Sequence, residues 1–174
     1  MRSHRIAATL GGLLGLALPA AAQQPPQVAA GPTSRANLIL IKTAARPDSV
    51  LAGLRYYLIS NGFVPDTLDS ARGLLTTRVL ESGETLPEQM KIRAVRVTDG
   101  WKLTGLYLIG GSLSSGYTAF PATFFGLDAA PAKIAFRQVE AAARAIPGGT
   151  LNYGRAKVPF GAFTKWQDAL KMPW

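Results

Sequence analysis

The stretch MKIRAVRVTDGWKLTGLYLIG, residues 90–110, decides the fold. Apolar and polar residues alternate through Met90, Lys91, Ile92, Arg93 and Ala94, the period of a strand with one face buried and one wet. Asp99-Gly100 then supplies the chemistry of a two-residue hairpin turn, and Trp101 to Gly110 reads as the returning strand. A hairpin of this length commits the chain to an antiparallel sheet, and alternation places Lys91 and Arg93 on the same face.

Working outward, the segment before the hairpin reads as more of the same sheet. Phe63 to Leu68 is a short strand, with Pro65 pointing to an edge. Asp69 to Gly73 has turn chemistry, and LLTTRVLES, residues 74–82, is a strand rich in Thr and Val. Further upstream, Asn37 to Ala44 is an apolar run that reads as the first and central strand. Between it and Phe63 lies a helix. Pro47 suits the first helical position and Asp48 the positive end of the dipole, while Val50, Leu51, Leu54, Tyr57 and Leu58 fall on one face and Asn61-Gly62 ends it. Downstream, Ala132 to Ile146 predicts a second helix with Ile134, Val139, Ala142 and Ala143 as its apolar stripe, stopped by Pro147-Gly148-Gly149. The expected class is α+β: an antiparallel sheet in the order β-α-β-β-β-β-α, one long helix packed on it, and a second helix toward the C-terminal side.

That element order, with Pro47-Asp48-Ser49, Asn61-Gly62-Phe63 and Gly73-Leu74-Leu75-Thr76-Thr77 within it, resembles the TATA-binding-protein-like or helix-grip architecture. It is similar in particular to periplasmic domains of accessory proteins of outer-membrane assembly. The resemblance covers Asn37 to Pro147 and implies a curved antiparallel sheet gripping helices. The sequence departs from those lipoproteins in having no cysteine to carry a lipid.

The ends of the chain speak to location. Arg2 and Arg5 precede the apolar run IAATLGGLLGLAL, and Ala20-Ala21-Ala22 forms a small-residue site, so residues 1–22 read as a secretory signal cleaved before Gln23. Residues 23–36 read as a disordered leader, 37–149 as a single α+β domain, and 150–174 as a basic, aromatic extension with a short helix possible at FTKWQDALK. The expected product is exported, periplasmic or secreted, with no transmembrane segment once the signal is gone.

Cleavage would also remove His4, the sole histidine, and lower Lys plus Arg from 19 to 17 against 10 Asp plus Glu, leaving about +7. Without His or Cys, the Ser-His-acid and Cys-His arrangements and ordinary zinc sites are excluded. The sequence therefore calls for no catalytic residue, no metal and no cofactor. Outside the cytoplasm the positive charge points away from nucleic acid, toward an anionic envelope polymer or an envelope protein.

Two groups of residues are candidates for binding. Arg78, Lys91, Arg93 and Lys102 lie on three consecutive strands and could form a positive stripe on an open sheet face. The stretch GSLSSGYTAFPATFFG, residues 111–126, reads as a partly folded loop whose Tyr117, Phe120, Phe124 and Phe125 either close the core or form an aromatic lip. Its start nearly matches a phosphate-binding loop, but Tyr117 stands where the lysine belongs and Pro121 interrupts the helix such a loop feeds. The functional expectation is a non-catalytic envelope-binding protein. The alternatives are a carrier of a small apolar ligand between sheet and helix, and a hydrolase using an unrecognised Ser–Lys pair around Ser112, Ser114 or Ser115.

Overall fold

A computed structural model describes residues 31–80, 85–110, 116–161 and 164–174. The signal region and most of the leader lie outside these residues, as do Ser112, Ser114 and Ser115. The elements follow in the order β1 (Leu38–Lys42), α1 (Pro47–Ser60), β2 (Val64–Asp69), β3 (Leu74–Arg78), β4 (Met90–Val97), β5 (Gly100–Gly110), β6 (Tyr117–Pro121), α2 (Pro131–Arg144), β7 (Thr150–Gly154) and α3 (Trp166–Lys171). The class is α+β, with a seven-stranded antiparallel sheet running β2-β3-β4-β5-β1-β7 and β6 paired to β5 off that path.

The hub is β5. One of its edges pairs with β4 from Gly100 to Tyr107. The other pairs first with β1, at Trp101 to Thr104, and then with β6, at Leu106 to Gly110. Gly105 sits where β1 gives way to β6, and a Cβ there would collide with Val139 Cγ2 and lie 2.7 Å from Met90 Cε. Only glycine lets α2 come this close to the sheet.

Several expectations need correction. The hairpin turn sits one residue earlier than Asp99-Gly100: Val97 pairs with Gly100, so Thr98 and Asp99 form the loop. Gly100 belongs to the strand at φ +139°, where a Cβ would run into the Ile41 carbonyl oxygen. β1 is an interior strand, flanked by β5 and β7, but it stands next to the β7 edge rather than at mid-sheet. The expected order lacked two strands. Tyr117 to Pro121, read as loop, is β6; and Thr150 to Gly154, read as the start of an extension, is β7, paired along its length with β1. Sheet pairing supplies what the local sequence does not, since β6 and β7 take their strand form from the partner each lies against. Among the described residues there are also two long helices rather than one, α1 and α2 having 14 residues each.

α1 buries Val50, Leu51, Leu54 and Leu58, the expected face with Tyr57 at its margin. The Asn61 side-chain amide donates to the Tyr57 carbonyl at 2.8 Å and closes the last turn. α2 buries Ala135, Phe136, Val139, Ala142 and Ala143, whereas Ile134, expected in its stripe, is exposed. Phe136 takes the place that stripe assigned to Ile134, with its ring 5.7 Å from Phe124 and 6.2 Å from Tyr153.

These helices cover one face of the sheet, where Ile39, Ile41, Leu75, Met90, Ile92 and Leu103 meet Leu51, Leu54, Phe136 and Val139. On the second face a smaller cluster forms from Leu106, Leu108, Ala119 and Ala169, with Tyr117, Phe160, Trp166, Leu170 and Trp174 against it. The chain after β7 builds this cover. It is pinned at its start by Asn37, whose amide donates to the Ala156 carbonyl at 2.9 Å and whose oxygen accepts from the Ala156 N–H at 2.8 Å. The second face is thus not open: the chain after β7 forms a strap over part of it.

Candidate functional site

Alternation along β4 sends Met90, Ile92 and Ala94 into the helix-covered core and turns Lys91 and Arg93 to the second face. Arg93 stands in register with Thr76 of β3 and Thr104 of β5. The strap passes above them. Lys91 Nζ donates to the Leu170 carbonyl at 3.0 Å, while Arg93 Nη1 and Thr104 Oγ1 both donate to the main-chain oxygen of Trp174, at 3.0 and 3.2 Å. A T-shaped contact of Trp166 on Tyr117 at 5.7 Å seats the strap, and another, Trp174 on Phe160 at 6.3 Å, ties two parts of the strap together.

Between strap and sheet lies a pocket of about 520 Å³. Its floor is Asp66, Thr76, Lys91 and Arg93, and Trp166, Leu170 and Trp174 form its opposite wall. Both Lys91 and Arg93 are half-buried, and burial pushes the Lys91 ammonium below the ordinary lysine range. Asp66 acts against that displacement and neighbouring Arg93 adds to it. Burial lowers Lys102 as well, and repulsion from Arg93 adds to it. Among the described residues, no carboxylate side chain lies within ion-pairing distance of Lys91, Arg93 or Lys102. The Asp66 carboxylate accepts instead from Thr76 Oγ1, at 3.3 Å. The site is therefore a half-buried cationic floor under an apolar roof, whose direct partners are main-chain oxygens of the strap.

Of the four cations expected to form a stripe, Lys91 and Arg93 line the pocket, Lys102 lies one strand over, and Arg78 stands exposed at the end of β3. The four aromatic residues do not share one face. Tyr117 joins the second-face cluster; Phe120 lies 5.8 Å from Tyr107; and Phe124 packs on Phe136 with Lys133 Nζ 4.7 Å from its ring centre. Phe125 is 52% exposed beneath the Arg35 guanidinium, at 5.3 Å. Sequence reasoning missed the strap residues Trp166, Leu170 and Trp174. Their spacing of four residues was the available signal, in a segment too short for periodicity to stand out.

The layer between the sheet and the two long helices, the expected carrier cavity, is filled by side chains such as Leu54, Phe136 and Val139, each at most 1% exposed. Among the described residues no group of three or more His, Cys, Asp or Glu could hold a metal ion, and no helix is long and apolar enough to cross a membrane. Comparison with known proteins finds no matching family model and no matching curated protein.

Proposed function

We propose that this is an exported, non-catalytic protein of the cell envelope that binds an anionic envelope component through the second face of its sheet. The observation that carries this reading is the pair Lys91 and Arg93, half-buried in a pocket wall with no carboxylate side chain paired to them among the described residues. Keeping a cation partly out of water is costly unless an anion compensates, and the strap offers Lys91 only the neutral carbonyl dipole of Leu170. Lys102 and Arg78 extend the positive field along the neighbouring strands. Export is part of the proposal and rests on Arg2, Arg5, the apolar run after them and the Ala20-Ala21-Ala22 site. Kinship with helix-grip domains of the envelope belongs to the same reading, and its support is the sheet with two helices on one face.

The test is retention of the purified protein on vesicles containing an anionic phospholipid. Retention should fall steeply from about 0.01 M to about 1 M salt, as the screening length drops from roughly 30 Å to roughly 3 Å. It should also weaken as pH rises through the lowered Lys91 and Lys102 range, below the value of about 10.4 for a free lysine. Lys91→Glu/Arg93→Glu should abolish retention, with circular dichroism reporting a folded sheet. Undiminished retention of that folded variant at low salt would overturn the reading.

A further inference from the structure

We propose that the pocket between the second face and the strap is a binding site for a small amphipathic anion, a single carboxylate or phosphate on an apolar body. This rests on the envelope-binding reading above and narrows it from a charged surface to one ligand class. Three observations carry it.

The first is access. An extended polyanion lying on the protein would reach exposed cations such as Arg78, but Lys91 and Arg93 lie half-buried in the pocket, their side chains bonded to strap oxygens. A group small enough to enter the pocket meets them; a polymer backbone does not. The second is polarity. The floor carries Lys91 and Arg93 beside Asp66, whose carboxylate accepts from Thr76 Oγ1, whereas Trp166, Leu170 and Leu74 offer apolar surface within the same 520 Å³. That volume lies within the roughly 300–1,000 Å³ usual for small-molecule sites, which pair apolar walls with a few convergent polar groups. The third is donor capacity. Lys91 spends one hydrogen bond on Leu170, and Arg93 spends one on Trp174. An ammonium has three donors and a guanidinium five, so each has donors left for an anionic oxygen while the strap stays docked. The strap oxygens, 3.0 Å from each cation, already show that oxygen is sterically accepted there.

The seating that follows is head inward, with the anion on Lys91 and Arg93 and the apolar body along Trp166 and Leu170. A carboxylate could come from a free fatty acid and a phosphate from a lysolipid-type headgroup. The chemistry they share is one anionic head on one chain.

The experiment titrates the purified protein with laurate, dodecyl phosphate and dodecanol below their aggregation thresholds. Calorimetry and tryptophan fluorescence are recorded together. Trp166 and Trp174 line the pocket, whereas Trp101 is buried in the opposite core, so a fluorescence change reports on this site. Laurate or dodecyl phosphate should bind saturably at one per chain, and dodecanol roughly tenfold or more weakly, as loss of a charge-assisted hydrogen bond implies. The tighter of the two anions identifies the source, carboxylate or phosphate. Lys91→Met should lose a similar factor for the anions and little for dodecanol. Comparing the three ligands on the unaltered protein needs no variant, so the test survives if Lys91→Met loosens the strap. Binding of dodecanol as tight as that of the tighter anion overturns the proposal. So does absence of amphiphile binding while anionic vesicles still retain the protein, an outcome that leaves the envelope-binding reading intact. Failure of both titration and vesicle retention removes both.

Discussion

The two faces of the sheet are built from the same strands and obey opposite rules. On the helix-covered face, Ile39, Leu54, Leu58, Ile92 and Leu103 have no exposed surface, and their neighbours are apolar side chains. On the second face the strap settles on Lys91, Arg93 and Thr104 through side chain to main chain hydrogen bonds, with half-buried aromatic rings between. The first arrangement packs apolar side chains between the helices and the sheet. The second holds its cover by polar contacts around a cavity. Such a contrast separates the work of holding the fold from that of binding, since low-density regions open at lower free energy than a core.

The largest expected effect attacks the denser side. Leu54→Ala should cost about 2–5 kcal/mol in chemical denaturation, because α1 and the sheet cannot both collapse onto the void. Leu170→Ala, on the half-exposed strap, should cost less than half as much. Equal losses would mean that the two faces contribute alike. Next in size is Gly105→Ala, which adds a methyl where Val139, Met90 and Ala122 already lie within 2.9 Å of a Cβ. Overpacking of this kind should cost about 1–3 kcal/mol, and a neutral result would show that α2 can slide on the sheet.

That asymmetry also explains how much of the fold is legible in the amino-acid sequence. The β4–β5 hairpin and α1 can be read because their partners are local: Val97 pairs with Gly100, and α1 carries its own stripe and its own stop. The antiparallel α+β class follows from them. β7 and β6 are not legible, because LNYG and YTAF become strands only by pairing with β1 and β5, the first of these more than a hundred residues from its partner in the chain. For the candidate site, alternation is enough to put Lys91 and Arg93 on one face. It cannot show that the chain's own residues 166–174 return to cover them, for a six-residue helix carries too little periodicity to announce its partner. Tyr117, Phe120, Phe124 and Phe125 mislead for a related reason. Nearness in sequence suggests one surface, whereas Tyr117 and Phe120, three residues apart on β6, turn to opposite faces.

The smallest effect expected is also the one that tests the contrast by sign. Tyr153 on β7 faces the helix-covered core, and its hydroxyl donates to Glu140 Oε1 at 2.6 Å, the same oxygen that accepts from Arg144 Nη2 at 2.6 Å. Burial first, and then the bond to the Glu140 carboxylate, push the phenol up to about 12. The folded protein therefore keeps a proton that the unfolded chain releases near pH 10, so this contribution to stability is present below pH 10 and lost as pH rises toward 12. Lys91 and Lys102 on the second face work in reverse. Burial lowers both, so the unfolded chain holds more protons than the folded one just below the free-lysine value, and stability rises with pH there. Tyr153→Phe should cost about 1 kcal/mol at neutral pH, the usual net worth of one hydrogen bond, and flatten the alkaline decline. Lys91→Met should instead steepen that decline by removing an opposing rise. Denaturation midpoints of the two variants, followed from pH 8 to about pH 12, should thus diverge from the unaltered protein in opposite directions. If they move together, the two faces do not titrate independently, and the separation of packing from binding drawn from their geometry fails.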